Sequence, residues 1–131
     1  MASGVDQGRL ALLLAVLEKR AGMRLYDKDV YINIAGGMTL TEPAADLALC
    51  IAVASSLKDE PVGQQVAVMG EVGLGGEIRA IPQVDRRVSE CVRLGFTTIV
   101  LPRESLRRVK APEGVTLRGV DTVMQALSVL F

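Results

Sequence analysis

The sequence predicts an α/β (α+β) fold in one domain, with a mixed sheet packed against helices. Three observations support this class. The 131 residues suffice for one hydrophobic core, half of them are apolar, and 23% are charged, as in ordinary globular domains. Aromatic residues make up only 3% of the chain, so the core is expected to be aliphatic. Helical and strand-like apolar patterns alternate along the chain, without an internal repeat or a linker.

The first predicted elements are a helix and a strand. Residues 1–8 are expected to form a flexible start, followed by a domain that covers residues 9–131. Apolar residues recur at helical spacing from Leu10 to Leu17, and this helix is predicted to end near Gly22. The next run, DVYINIAGG, alternates β-branched side chains and stops at two glycines, which predicts a strand.

A long helix rich in alanine is predicted next. Pro43 suits the first helical position, because the N–H that proline lacks has no partner there. Thr41 or Glu42 is expected to cap the helix, which should reach about Lys58. Small side chains along this helix favour close packing against a sheet.

The second half of the chain predicts a hairpin and then alternating helices and strands. The run QQVAVMGEV reads as a second strand, and GLGGEIRAI as a glycine turn into a third. Pro82 is predicted to start a helix that Gly95 closes. The side chains predicted to face inward from it are Val84, Val88, Cys91, Val92 and Leu94. A strand (TTIVLP), a short helical turn (RESLRRV), a strand (VTLRGV) and a capped helix (DTVMQALSVLF) follow.

Several kinds of chemistry are excluded by composition. Histidine is absent, which rules out Ser-His-Asp and Cys-His catalysis and removes the commonest zinc ligand. Cys50 and Cys91 lie far apart in apolar helical patterns, so we expect reduced core thiols of a cytoplasmic protein. No run reaches the roughly 18 uncharged apolar residues that a membrane span needs, so no membrane partner is expected.

Two weaker kinds of site remain to be weighed. The glycines of GEVGLGGE are followed by neither a helix nor Gly-Lys-Ser/Thr, so a hairpin turn is the favoured interpretation. AGGMTLTEP does precede a helix, but Glu42 at the helix start would repel an anion. Ser55, Ser56 and Lys58 leave a Ser/Lys hydrolase open as an alternative function, since a lysine of lowered pKa can activate serine.

Charge is distributed unevenly. Residues 1–78 carry six basic and ten acidic side chains, whereas residues 79–118 carry nine basic and four acidic ones. The candidate contacts for DNA or for another subunit are Arg86, Arg93, Arg103, Arg107, Arg108 and Lys110. Two interpretations stay open: a stripe that contacts phosphate or a neighbouring subunit, or a solvated face balanced by interleaved acidic residues.

Two long runs carry a resemblance to a known family. DVYINIAGGMTLTEPAADLALCIAVASS and GEVGLGGEIRAIPQVDRRVSECVRLGFTTIVLP resemble the C-terminal domain of the bacterial RadA family, also called Sms. That domain is similar to the proteolytic domain of Lon protease. The resemblance extends from about residue 9 to residue 131, and it implies a Lon-protease-like domain of the ribosomal protein S5 domain 2-like type.

The resemblance also implies that the catalytic dyad has been lost. Lon proteases present a serine just after a proline at the corresponding corner, and a lysine on the later helix activates it. Pro43 matches that proline, while Ala44 falls at the serine and Arg87 at the lysine. Alanine has no nucleophile and arginine stays protonated, so we expect no peptide hydrolysis. Arg87 is expected either to pair with a carboxylate such as Asp46 or to face DNA.

The function implied by the resemblance is recombinational DNA repair. The RadA family resembles RecA-like DNA-dependent ATPases that form hexameric rings and promote branch migration. ATP, Mg and Zn would belong to the ATPase domain and the zinc-binding segment of that family, and this sequence has neither a Walker A motif nor four cysteines. We therefore expect this chain to bind no cofactor or metal, to assemble with itself in a ring, and to meet DNA in the full-length protein.

Overall fold

Four α-helices and seven short strands make up the described part of the chain. The coordinates are a computed structural model, which describes residues 2–3, 5–25, 27–33 and 42–131. The predicted α/β class is confirmed. None of the helices in these ranges has the length and apolar content required to cross a membrane.

The first helix, α1 (Gln7–Ala21), follows β1 (Ala2–Ser3). The Asp6 carboxylate accepts a hydrogen bond from the Arg9 N–H at 2.9 Å and so caps α1. Gly22 ends the helix in the left-handed region, at φ 68°, as the sequence predicts. α1 thus begins two residues before the predicted domain start at residue 9.

Strand β2 (Ile32–Asn33) pairs in parallel with β1. It forms part of the strand predicted over DVYINIAGG. Asp29, Val30 and Tyr31 are described but lie outside the strand, which is therefore shorter at its start than predicted. Ile34 and the two glycines lie outside the described residues, as does the alternative cap Thr41.

Helix α2 (Asp46–Lys58) is preceded by one turn of 3-10 helix, Pro43–Ala45. Glu42 caps that turn, as predicted. The helix reaches Lys58 and then stops, because Asp59 adopts a left-handed conformation with φ 55°. The predicted extent of this helix is confirmed.

A parallel sheet has the strand order β3 (Val66–Val68), β6 (Thr98–Pro102) and β7 (Thr116–Val120). A separate antiparallel hairpin joins β4 (Glu71–Val72) to β5 (Ile78–Arg79). The prediction that QQVAVMGEV forms one strand of this hairpin is therefore wrong, since β3 pairs with β6 and only β4 pairs with β5.

Gly70 is the physical reason for this division. Its N–H donates to the Ala44 carbonyl at 2.8 Å, and its own carbonyl accepts from the Leu47 N–H at 3.0 Å. The backbone is therefore bonded to the corner before α2 instead of to a neighbouring strand. A Cβ at Gly70 would lie 2.9 Å from Ile78 Cγ2, so glycine is the residue that fits this close approach.

Helix α3 (Val84–Arg93) begins after Gln83, whose φ is 55°, and not at Pro82 as predicted. The prediction that Leu94 faces inward is also wrong, because its side chain is 61% exposed. Leu94 follows the last helical residue, where the chain turns through Gly95 at φ 97°. Helical spacing therefore no longer determines where Leu94 points.

The end of the chain follows the prediction closely. A 3-10 helix, Arg103–Arg108, follows β6. Helix α4 (Val123–Leu130) is capped by Thr122, whose hydroxyl accepts from the Gln125 N–H at 3.1 Å.

Two apolar clusters form the core. One holds α1, α2 and α4 together and includes Val100 and Val120, and the other lies beneath α3 and includes Ile99 and Leu101. Successive side chains of the central strand β6 therefore pack alternately into one cluster and the other.

The two cysteines are free thiols, as predicted. Cys50 is buried in the first cluster, and burial raises the pKa of its thiol to about 12, with a further contribution from the nearby Asp46 charge. Cys91 is half-buried against the second cluster.

Candidate functional site

The corner before α2 carries Ala44, the residue at the position that resemblance assigns to a serine. The Ala44 N–H donates to Glu42 Oε1 at 3.1 Å, and the Ala44 carbonyl accepts from Gly70. The methyl group is buried in the second cluster, next to residues such as Met69 and Val84. Both the N–H and the carbonyl of Ala44 are therefore hydrogen-bonded, and the Ala44 methyl group contributes only to packing.

Arg87, at the position assigned to a lysine, lies on α3 and reaches this corner. Its Nη2 is 3.2 Å from Glu42 Oε1, and its Nε donates to the Pro82 carbonyl at 2.8 Å. Glu42 Oε1 therefore contacts both the Ala44 N–H and the Arg87 guanidinium, so the two positions that the resemblance assigns to a dyad lie within two hydrogen-bond lengths of each other.

Glu42 joins these two positions, a role that was not predicted from the sequence. The hydrogen bond from the Ala44 N–H, and next the Arg87 charge, hold the pKa of the Glu42 carboxyl below its ordinary value of 4.5. The sequence did carry a signal for this role: Glu42 is an acidic residue at a predicted helix cap, so its carboxylate was expected at the corner. Which arginine it would meet depends on how α3 packs.

Replacing Glu42 by Gln should remove a pH-dependent contribution to stability. Because the folded-state pKa is lowered, the carboxylate stabilises the fold above pH 4.5, and this effect is lost as the pH falls through the folded-state value. We expect Glu42→Gln to cost about 0.5 kcal/mol at pH 7, since water screens this half-exposed pair. Urea unfolding at pH 7 and pH 3.5 should show the gap closing at the lower pH. Glu113→Gln, in an exposed loop, is the control, and a pH-independent gap would contradict the assignment.

A groove of about 500 Å³ lies between the corner and α3. Ala48, Val68 and Met69 line it, while Glu42 and Arg87 contribute their ion pair. The groove therefore combines apolar side chains with polar and charged ones, among which Glu42 and Arg87 pair with each other. It offers no hydroxyl at the Ala44 position.

Asp46 does not pair with Arg87, which corrects the partner named from the sequence. Arg9 holds it instead: Nε and Nη2 of Arg9 each donate to one carboxylate oxygen at 2.5 Å. The Val72 N–H donates to the same carboxylate at 3.0 Å. The Asp46 side chain is 1% exposed, so this bidentate pair ties α1 and the hairpin to the start of α2. Arg87 does form an ion pair, but Glu42 is its partner.

The residues of the Ser/Lys alternative are engaged separately. The Ser55 hydroxyl donates to the Glu60 carbonyl. The Lys58 ammonium lies 5.9 Å from the centroid of the Phe131 ring. Ser56 is exposed on α2 and lines a different cavity from Lys58. This arrangement does not present a lysine to a serine hydroxyl.

Two of the basic residues predicted to contact DNA or another subunit, Arg93 and Arg103, form ion pairs within the domain. Arg93 pairs with Glu90, which lowers the pKa of that carboxyl and raises the pKa of the guanidinium. Arg103 pairs with Asp121 at 2.9 Å. The other candidates are exposed and lie on α3, on the 3-10 helix after β6, or just beyond it: Arg86, Arg107, Arg108 and Lys110. Across the described residues, no group of three or more potential Cys, Asp or Glu ligands surrounds a possible metal position.

Comparison with known proteins identifies the class to which this corner and groove belong. Residues 15–128 match the family described as the Lon protease (S16) C-terminal proteolytic domain, so the chain belongs to this family.

Within this family, the chain is similar to longer proteins named DNA repair protein RadA. The relative from Streptococcus pyogenes serotype M1 is 44% identical over 129 residues, which cover 98% of this chain and 28% of the relative. The relative from Escherichia coli K12 is 46% identical with the same coverage. The predicted resemblance to the RadA C-terminal domain is therefore confirmed, and the chain spans less than a third of these relatives.

Proposed function

We propose that this chain is a proteolytically inactive Lon-like domain of a RecA-like, DNA-dependent ATPase that acts in recombinational DNA repair and branch migration in the cytoplasm. It would serve as an assembly scaffold, in a hexameric ring, and present a basic surface to DNA. The name DNA repair protein carried by its relatives supports this role. ATP, Mg and Zn would be bound by other parts of such a protein.

One observation carries the proposal of inactivity: Ala44 and Arg87 meet at the same carboxylate oxygen. Acyl transfer by a Ser/Lys dyad requires a hydroxyl nucleophile and a neutral amine that accepts its proton. Ala44 has no hydroxyl. Arg87 has no free lone pair, and its charge is neutralised by Glu42 while Pro82 accepts another of its hydrogen bonds. Neither group can perform the chemistry of a Ser/Lys dyad, which supports the proposal of inactivity.

Covalent labelling tests this directly. A fluorophosphonate probe should leave the chain unlabelled, and a fluorogenic peptide should be hydrolysed no faster than in buffer. The double variant Ala44→Ser/Arg87→Lys is a matched comparison. It should stay inert as well, because the Glu42 carboxylate, which pairs with Arg87, would keep a lysine at that position protonated. Labelling of any hydroxyl, or turnover that Lys58→Ala abolishes, would favour the Ser/Lys hydrolase instead.

The DNA-contacting role rests on charge. Residues 79–118 carry nine basic and four acidic side chains, and Arg107 and Arg108 are exposed on the 3-10 helix after β6. Gly119 of β7 has no side chain and so allows this helix to pack closely against the strand, since a Cβ there would lie 3.1 Å from Arg103 Cα. The two arginines therefore project from a well-supported turn, which favours a defined contact with phosphate.

A further inference from the structure

The corner before α2 is held at its two ends by arginines from two different helices. At its start, Glu42 Oε1 lies 3.2 Å from Nη2 of Arg87 on α3. At its end, the two carboxylate oxygens of Asp46 each accept a hydrogen bond from Arg9 on α1 at 2.5 Å. Residues 42–46, the corner segment, therefore connect two ion pairs whose arginines belong to helices of different apolar clusters.

The corner segment is hydrogen-bonded within itself. The Ala45 N–H donates to the Glu42 carbonyl at 3.1 Å, and the Asp46 N–H donates to the Pro43 carbonyl. These bonds close the 3-10 turn that lies between the two ion pairs. Because the turn is short and internally bonded, a displacement of Asp46 is expected to move the Glu42 end with it.

Gly70 restrains the corner segment by close packing. Besides its hydrogen bonds to Ala44 and Leu47, it leaves no spare room, since a Cβ at Gly70 would lie 2.9 Å from Ile78 Cγ2 and 3.4 Å from Leu47 Cδ2. Closely packed interiors are hard to compress and so transmit a shift instead of absorbing it. The contact with Gly70 therefore favours movement of the corner segment as a unit.

The corner segment also forms one wall of the groove of about 500 Å³. Ala44 and Ala45 line the groove from the corner segment, while Arg87 and Cys91 line it from α3. The ion pair between Glu42 and Arg87 joins the two walls. The width of the groove therefore depends on where the corner segment lies relative to α3.

We propose that the corner segment couples α1 to this groove, so that release of Asp46 by Arg9 widens the groove. Conversely, a ligand that separates Glu42 from Arg87 weakens the buried pair, because coupling between two sites is reciprocal. The inference does not depend on the proposed function in DNA repair, since it concerns contacts within the domain. It gives the fold a device through which a displacement of α1 changes access to the groove.

The two native thiols can report on this coupling. Cys91 is half-buried and lines the groove, whereas Cys50 is buried in the first cluster and is not part of the groove lining. Widening of the groove exposes Cys91 alone, while global unfolding exposes both thiols. Reaction of each cysteine with iodoacetamide under native conditions, followed by mass spectrometry, therefore distinguishes the two events.

Arg9→Lys is the test variant, because an ammonium keeps the charge but cannot form the bidentate contact. Cys91 should react at least about fivefold faster than in the wild-type chain, and Cys50 should gain less. Arg79→Met, which removes the hairpin pair with Glu77, is the control and should leave both rates unchanged. An unchanged Cys91 rate in Arg9→Lys, or equal gains at both thiols, would overturn the coupling.

A double-mutant cycle provides a second measurement. Arg9→Met and Arg87→Met remove contacts at opposite ends of the corner segment, so independent ends would multiply their effects on the unfolding equilibrium constant. Coupling predicts a constant for the double variant at least about threefold below that product, because the second substitution acts on a segment that the first has already loosened. The cycle of Arg79→Met with Arg87→Met should be multiplicative. A multiplicative result for Arg9 and Arg87 would contradict the inference.

Discussion

Replacing Arg9 by Met is expected to lower the free energy of unfolding by about 3–5 kcal/mol, the cost of breaking a buried ion pair from one side. The Asp46 side chain is 1% exposed, and Arg9 supplies a hydrogen bond to each of its oxygens. Without the guanidinium, the carboxylate keeps the Val72 N–H as its partner but cannot reach water. The bond to Asp46 also raises the pKa of Arg9, so the guanidinium is charged at neutral pH.

Urea unfolding followed by circular dichroism measures this loss. Arg79→Met is a matched control, because Arg79 pairs with Glu77 but both side chains are about half exposed, so water screens the pair and the loss should be far smaller. Arg9→Lys should recover part of the loss, since an ammonium restores charge without the bidentate geometry. Equal losses in the Arg9 and Arg79 variants would contradict the importance assigned to Asp46.

Reversing Arg107 and Arg108 together to Glu is expected to weaken DNA binding by at least about tenfold at low salt. If both side chains contact phosphate, the slope of log K against log salt should become shallower by about 1.8. Both arginines are exposed, so neither substitution removes a core contact. Fluorescence anisotropy of a labelled duplex over a salt series provides both quantities.

The control must change net charge by the same amount elsewhere. Lys19→Glu/Lys28→Glu reverses two exposed basic residues of the acidic half of the chain. It should leave the salt slope unchanged if the contact is local. Unchanged binding by the Arg107/Arg108 variant would assign those arginines to a subunit contact or to plain surface. The absence of DNA binding by the wild-type chain would contradict the DNA-contacting role of this domain.

Most elements were predictable because their signals are local. α1 has apolar residues at helical spacing and a glycine at its end, and α4 has a threonine cap. The strand QQVAVMGEV was misread because its break at Gly70 has no local cause. It arises from hydrogen bonds to Ala44 and Leu47, which belong to another part of the chain.

In the candidate site, too, residue identities follow from the sequence, whereas the ion pairs depend on how the helices pack. The resemblance located Ala44 and Arg87, but not the carboxylate that joins them. From the sequence, Asp46 and Glu42 were comparable partners for Arg87, being four residues apart beside the same corner. The packing of α1 places Arg9 on Asp46, and the packing of α3 places Arg87 on Glu42.

The sequence by itself determined the family and the order of most elements, since these depend on local patterns and on residue identity. The tertiary structure alone decided which charges pair, where the second strand divides and which leucines remain in water. These features depend on distances between elements remote in the chain, and ion pairs and close backbone approaches change with shifts of an ångström or less.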